Sequence, residues 1–152
     1  MKSLLRTLVA SLAISFAASA FAQSAALSSD TAQLSPSGGT VVLTAATNYD
    51  TSPGALGWSI ALPADWTLVS VSGPHVPAIA PDAGSSGTLE FAFTQVPAGR
   101  AEFTIHVSYP ANAGSTQATP KVLVRTGGKL TTLTPAPVTL RGVTVTGQKS
   151  RN

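Results

Sequence analysis

The chain contains no cysteine. Disulfides, thiolate metal sites, thiol nucleophiles and redox chemistry are therefore excluded together, and the fold must be held by packing alone. Charge is scarce as well, at 10% of residues, so the dense basic surface that nucleic-acid binding demands is not available. There are only two histidines, His75 and His106, and no close His/Asp cluster that could supply three or four converging metal ligands. No D-x-D-x-D-G calcium loop and no G-x-S-x-G nucleophile motif occur. Beyond the first 22 residues there is also no sustained helical periodicity.

What is present begins with an export leader. In MKSLLRTLVASLAISFAASAFAQ, Lys2 and Arg6 form a positive start and Leu4 to Ala18 a short apolar stretch. Ala20-Phe21-Ala22 then supplies a small-x-small cleavage site before Gln23. Ser11, Ser15 and Ser19 interrupt the apolar stretch. A retained span needs ~20 strongly apolar residues, so a removed signal is the better reading. Residues 1–22 are read as the signal, with cleavage after Ala20 as the alternative, 23–146 as one domain and 147–152 as a polar tail. The expected location is secreted, periplasmic or cell-surface, in a bacterium, with no membrane span in the mature chain.

Cleavage removes Lys2 and Arg6 and brings basic and acidic residues almost level. The remaining charge is uneven. All six acids lie between Asp30 and Glu102, while Lys121, Arg125, Lys129, Arg141, Lys149 and Arg151 follow with no acid among them. Such a basic tail could meet an acidic surface, but a solvated strand face and a frayed end explain it more simply.

Gly, Pro, Ser and Thr recur at short intervals, the punctuation of an all-β chain. In AEFTIHVSYP, Phe103, Ile105, Val107 and Tyr109 alternate with Glu102, Thr104, His106 and Ser108. TLEFAFTQ alternates in the same way, with Leu89, Phe91 and Phe93 on its apolar face. Strict alternation means one buried and one wet face. With Val96-Pro97-Ala98-Gly99 between them, these two strands are predicted to pair as an antiparallel hairpin. A second hairpin is predicted in VLVRTGGKLTTLT, where Gly127-Gly128 can take the positive φ angles of a type I′ turn. Further strands are expected at 40–47, 56–62, 67–72 and 138–146, with a weaker one over 25–34. Loops are expected at 35–39, 81–87 and 111–120. The fold class that follows is all-β: a single antiparallel β-sandwich, jelly-roll or immunoglobulin-like, of eight to nine strands.

The two tryptophans are either a stacking platform or anchors of the core. Trp58 shares parity with Ile60 and Leu62 and belongs to a core face. Trp66 follows the Leu62-Pro63-Ala64-Asp65 corner, and its parity is ambiguous: Leu68 and Ser70 share it, Thr67, Val69 and Val71 do not. Trp66 is read as covering one end of the core; in the alternative reading, where the protein stacks on sugar rings, Trp66 with Tyr49 is the candidate ligand-binding pair.

TVVLTAATNYD, GALGWSIALPADWTLVSVSG and GTLEFAFTQVPAGRAEFTIHVSYP together resemble the cohesin-like modules of secreted bacterial proteins, over residues 30–140. Those modules share a jelly-roll sandwich with some carbohydrate-binding modules. The resemblance implies a non-catalytic adhesion or scaffolding role, and it transfers no individual binding residue.

Catalysis finds little support in the residues. Asp65 and Asp82 fall in predicted turns, where short polar side chains bond their own backbone. Glu90 and Glu102 fall on wet strand faces; they could approach across the expected hairpin, but as solvated carboxylates rather than a catalytic dyad. TGGKL at 126–130 resembles a phosphate loop but lacks the upstream Gly and has Leu130 where Ser or Thr is required. The chain is thus expected to be no enzyme and to need no cofactor. Its partner is expected to be another secreted or surface protein, or alternatively a polysaccharide.

Overall fold

The computed structural model describes residues 23–142. The leader, residues 143–146 of the last expected strand and the 147–152 tail lie outside them. Among the described residues there are nine strands and no helix. They are β1 (Ser24–Ser29), β2 (Gly39–Asn48), β3 (Ala55–Ala61), β4 (Thr67–Ser72), β5 (Thr88–Phe93), β6 (Arg100–Tyr109), β7 (Thr116–Thr126), β8 (Lys129–Leu133) and β9 (Val138–Leu140). Two antiparallel sheets face each other, one ordered β1-β2-β6-β4 and one β5-β3-β7-β8, with β9 also paired to β7. This is a β-sandwich, as expected.

The core lies where the apolar parities of the two sheets meet. Phe103, Ile105 and Val107 from β6 are fully covered, as are Val41, Leu43 and Ala45 from β2. Opposite them lie Trp58 and Ile60 from β3, Phe91 from β5, and Val122 and Val124 from β7. Phe103 is the hub: Phe91 packs against it at 5.1 Å, Phe93 at 5.9 Å and Trp58 edge-on at 6.1 Å between ring centroids. Each such side chain contributes roughly 1.5–3 kcal/mol by leaving water. Trp58 also needs a partner for its indole N–H, and Nε1 donates to Thr47 Oγ1 at 3.0 Å. Thr47 is the one fully buried polar side chain of the described core, and this bond is what makes its burial tolerable.

The hairpin at Gly127-Gly128 forms as expected, with Thr126 opposite Lys129 and φ angles of 55° and 80° at the two glycines. The other predicted hairpin does not form. β5 pairs with β3, and β6 pairs with β2 and β4, so Val96-Pro97-Ala98-Gly99 arches from one sheet to the other. The reason is in the side chains. Phe91 and Phe93 of β5 meet Phe103 of β6 across the sandwich, and that packing fills the core between the two sheets. The arch is pinned by Tyr49, whose backbone N–H donates to Gly99 O at 3.1 Å and whose hydroxyl donates to Pro97 O. Glu90 and Glu102 consequently lie on the outer faces of opposite sheets, not across one ladder.

Two smaller expectations are also corrected. The loop expected over 111–120 ends early, because β7 begins at Thr116. Pro120 is tolerated in this strand because only β3 pairs there: β9 covers 116–118 and β8 covers 122–126 on the other edge. The expected 138–146 strand is described only as β9 and its continuation to Gly142, where Arg141 makes an isolated bridge to Gln33.

Candidate functional site: the outer face of the five-stranded sheet

The outward side chains of the second sheet are set by alternation about β3. Ala55, Gly57, Ser59 and Ala61 point away from the core because Leu56, Trp58 and Ile60 point into it. Gly57 pairs with Ala92 of β5 on one side and Leu123 of β7 on the other. Beyond β5, Ile79 extends the row, exchanging backbone bonds with Ala92 at 2.9 and 3.1 Å. Across the sheet the row therefore reads Ile79, Ala92, Gly57, Leu123: two large apolar side chains with almost nothing between them.

The result is a trough. Two adjoining hollows of about 270 and 360 Å³ share Gly57, Ala92 and Leu123, the first also bounded by Ile79 and Glu90, the second by Arg125 and Leu130. Ile79 is 58% exposed, Leu130 55% and Leu123 40%. These three are among the few large apolar side chains that the described surface leaves open. Their grouping on one face, rimmed by Glu90, Lys121 and Arg125, is the pattern of a recognition patch rather than of scattered surface leucines.

Gly57 is the unusual element. A mid-strand glycine costs roughly 0.5–1 kcal/mol relative to alanine. Its φ is not positive, and a Cβ placed there would meet only Phe91 O at 3.5 Å, an ordinary contact. Neither backbone geometry nor internal crowding asks for glycine. Its effect is on the outside, where the missing side chain leaves the sheet open.

The opposite outer face is built differently. On the four-stranded sheet, Ser72 Oγ lies 2.7 Å from Thr104 Oγ1 and 3.3 Å from His106 Nε2, and the Thr67 and Ser108 hydroxyls are 2.7 Å apart. His75 Nδ1 accepts the Glu102 N–H at 3.2 Å, and Arg100 donates to the Glu102 carboxylate and to Asn48 Oδ1. These polar groups bond one another. Among the described residues, no three His, Asp or Glu side chains gather as a metal site.

The sugar-stacking candidates are both covered. Trp66 is 2% exposed and stacks on Tyr109, with ring centroids 5.2 Å apart. Tyr49 is 4% exposed, and burial pushes its phenol above the ordinary value. A polar groove of about 510 Å³ does run past Trp66, between the turns holding Asp65 and Asn112. Those two are the non-glycine residues with positive φ among the described residues, at 66° and 57°, as short polar residues tolerate in tight turns. The groove offers no open aromatic ring.

The trough residues Gly57, Ile79, Leu123 and Leu130 were not singled out by the sequence reading. A signal existed: in VLVR, Leu123 is apolar at an outward position between two inward valines. Ile79 carried no such signal, because its placement depends on a loop pairing with β5.

No protein-family model matches the chain, and no curated protein matches it. Solved structures do. The full-length major pilin SpaD from Corynebacterium diphtheriae is similar with a TM-score of 0.59 and 13% identity, over 77% of this chain and 35% of the pilin. A DUF4466 family protein from Parabacteroides merdae has a TM-score of 0.47 and 12% identity, over 79% of this chain and 45% of that one. The chain spans about a third of the pilin's length. The likeness is one of fold.

Proposed function

We propose that this protein is an exported, non-catalytic β-sandwich that works by binding another protein through the outer face of its five-stranded sheet. The observation that carries the reading is the open apolar trough floored by Gly57. A glycine there weakens the strand and serves nothing inside the molecule, so its benefit is external. The leader at residues 1–22 directs the chain out of the cytoplasm, and the cohesin-like strand pattern points the same way, to adhesion or scaffolding on a bacterial surface. That a bacterial major pilin uses a similar sandwich agrees with this setting. The dispersed carboxylates and histidines leave binding as the task of the domain.

The test is a comparison of the wild-type domain with Leu123→Arg. Leu123 is 40% exposed, so the change should alter recognition without unfolding the protein. Immobilised wild type is expected to retain a defined secreted or surface protein that the variant does not, while a polysaccharide panel shows no difference between them. Retention of every ligand by both proteins would overturn the assignment to this face.

A further inference from the structure

We propose that the occupant of the trough is a second copy of this chain, packed sheet to sheet about a two-fold axis running along β3. The inference rests on the reading of this face as a binding surface, and it follows from the strand register. Ser59 pairs with Glu90 on β5 and with Lys121 on β7. All three point outward, so an acid and a base stand at equal heights, one strand to either side of the central strand. The same holds one row along, where Ala92 and Leu123 flank Gly57.

A two-fold axis above β3 exchanges the flanks. It lays β5 of each copy over β7 of the other at an unchanged height along the strands. Glu90 of each copy then faces Lys121 of the other, and this charge pair is made twice, as an isologous interface requires. Leu123 of each copy descends onto Ala92 and beside Gly57 of the other, into the gap bounded by Ile79. The large side chain on one flank thus fits the small one on the opposite flank. β5 presents only Thr88, Glu90 and Ala92 on this face, so neither Lys121 nor Arg125 meets a like charge there. Two sheets stacked with strands aligned at ~10 Å is the ordinary geometry of sandwich packing.

The face is about four strands wide, a projected footprint on the order of 400 Å². This is below the ~800 Å² per partner of tight complexes, so the association should be of micromolar order. Sedimentation velocity on the chain from Gln23 onward, over ~1–500 µM, reads it directly. Wild type is expected to pass from monomer to dimer in that range. Glu90→Lys and Lys121→Glu each place like charges face to face at two symmetric positions, and each should weaken the dimer by about tenfold or more. The combined variant restores the opposition and should return to within about threefold of wild type. Both residues are exposed, so the monomer's thermal unfolding should stay as in wild type.

A chain that stays monomeric throughout, or a dimer indifferent to the single reversals, or a double reversal that fails to rescue, would overturn the proposal. Leu123→Arg separates it from the broader reading. If wild type is monomeric yet this variant loses a captured surface protein, the self-association fails and the binding face stands. If the variant changes neither assay, both fail.

Discussion

An indole at a strand corner can be a platform or an anchor, and what decides is which ring faces are covered. Trp66 has one face on Tyr109 and is closed to solvent, and the Tyr109 hydroxyl accepts the Ser35 N–H at 2.9 Å. Trp66→Ala should therefore cost about 3–5 kcal/mol in denaturant unfolding, through the cavity it leaves. A loss below ~1 kcal/mol would mean the ring is not packed. Tyr49 makes a second prediction at this scale. Its phenol is raised by burial, so the folded state keeps a proton that the unfolded chain releases above pH ~10. That contribution is fully present below the unfolded value and is lost as pH rises through the folded one. Tyr49→Phe should flatten the alkaline fall in stability, and it should cost about 1 kcal/mol at neutral pH by leaving Pro97 O unbonded. Trp58 was legible as core from parity alone. Trp66 was not, and the cause lies in the strand that follows it.

β4 contains a bulge. Leu68 lies opposite Val107 and Ser70 opposite His106, so Val69 is an extra residue, 46% exposed and outside the ladder. Before it, Trp66 and Leu68 point inward; after it, Val71 does. This parity change is why the sequence could be read either way, since a period of two is broken only by such an insertion. Deleting Val69 should leave regular alternation from Trp66 to Ser72 and cost little, about 1 kcal/mol or less. Deleting Thr104 from the unbroken β6 should instead turn one part of that strand inside out and prevent folding. Circular dichroism and thermal melts of the two deletions check the contrast; equal tolerance would remove the bulge from the account. The same scale explains the failed hairpin. Alternation states which face of a strand is buried, and the Phe91 and Phe103 strands were both assigned correctly in that respect. It does not state which neighbour a strand pairs with. A short turn such as Val96-Pro97-Ala98-Gly99 serves an arch as well as a hairpin, whereas the paired glycines at 127 and 128 demand a tight reversal. The trough shares this dependence, because Gly57 becomes its floor only once β5 and β7 lie on either side of β3.

At the scale of the molecule, most connections between the described strands cross from one sheet to the other; among the described residues, β1–β2 and β7–β8 alone are pairs of successive strands within one ladder. A sandwich closed by such crossings folds through contacts distant in sequence, and single-domain refolding should take milliseconds to seconds. The chain must also begin in the right place. Gln23 already belongs to the fold, its side-chain amide donating to Thr126 Oγ1 at 2.9 Å, and β1 starts at the next residue. If residues 1–22 are a signal, cleavage after Ala22 removes no described contact, and mass spectrometry of exported protein should find Gln23 at its start. A cut further in has a different consequence. β1 covers one edge of β2 over residues 43–48, from Ser24 opposite Asn48 to Ser29 opposite Leu43, and carries Leu27 into the core. A chain starting at Asp30 would expose that edge as a row of unpaired backbone groups beside an apolar face, the usual template for aggregation. It should melt at lower temperature than the Gln23 form and aggregate on concentration, measured by thermal scanning and light scattering. An Asp30 form as stable and monodisperse as the Gln23 form would show that β1 is not part of what holds the sandwich together.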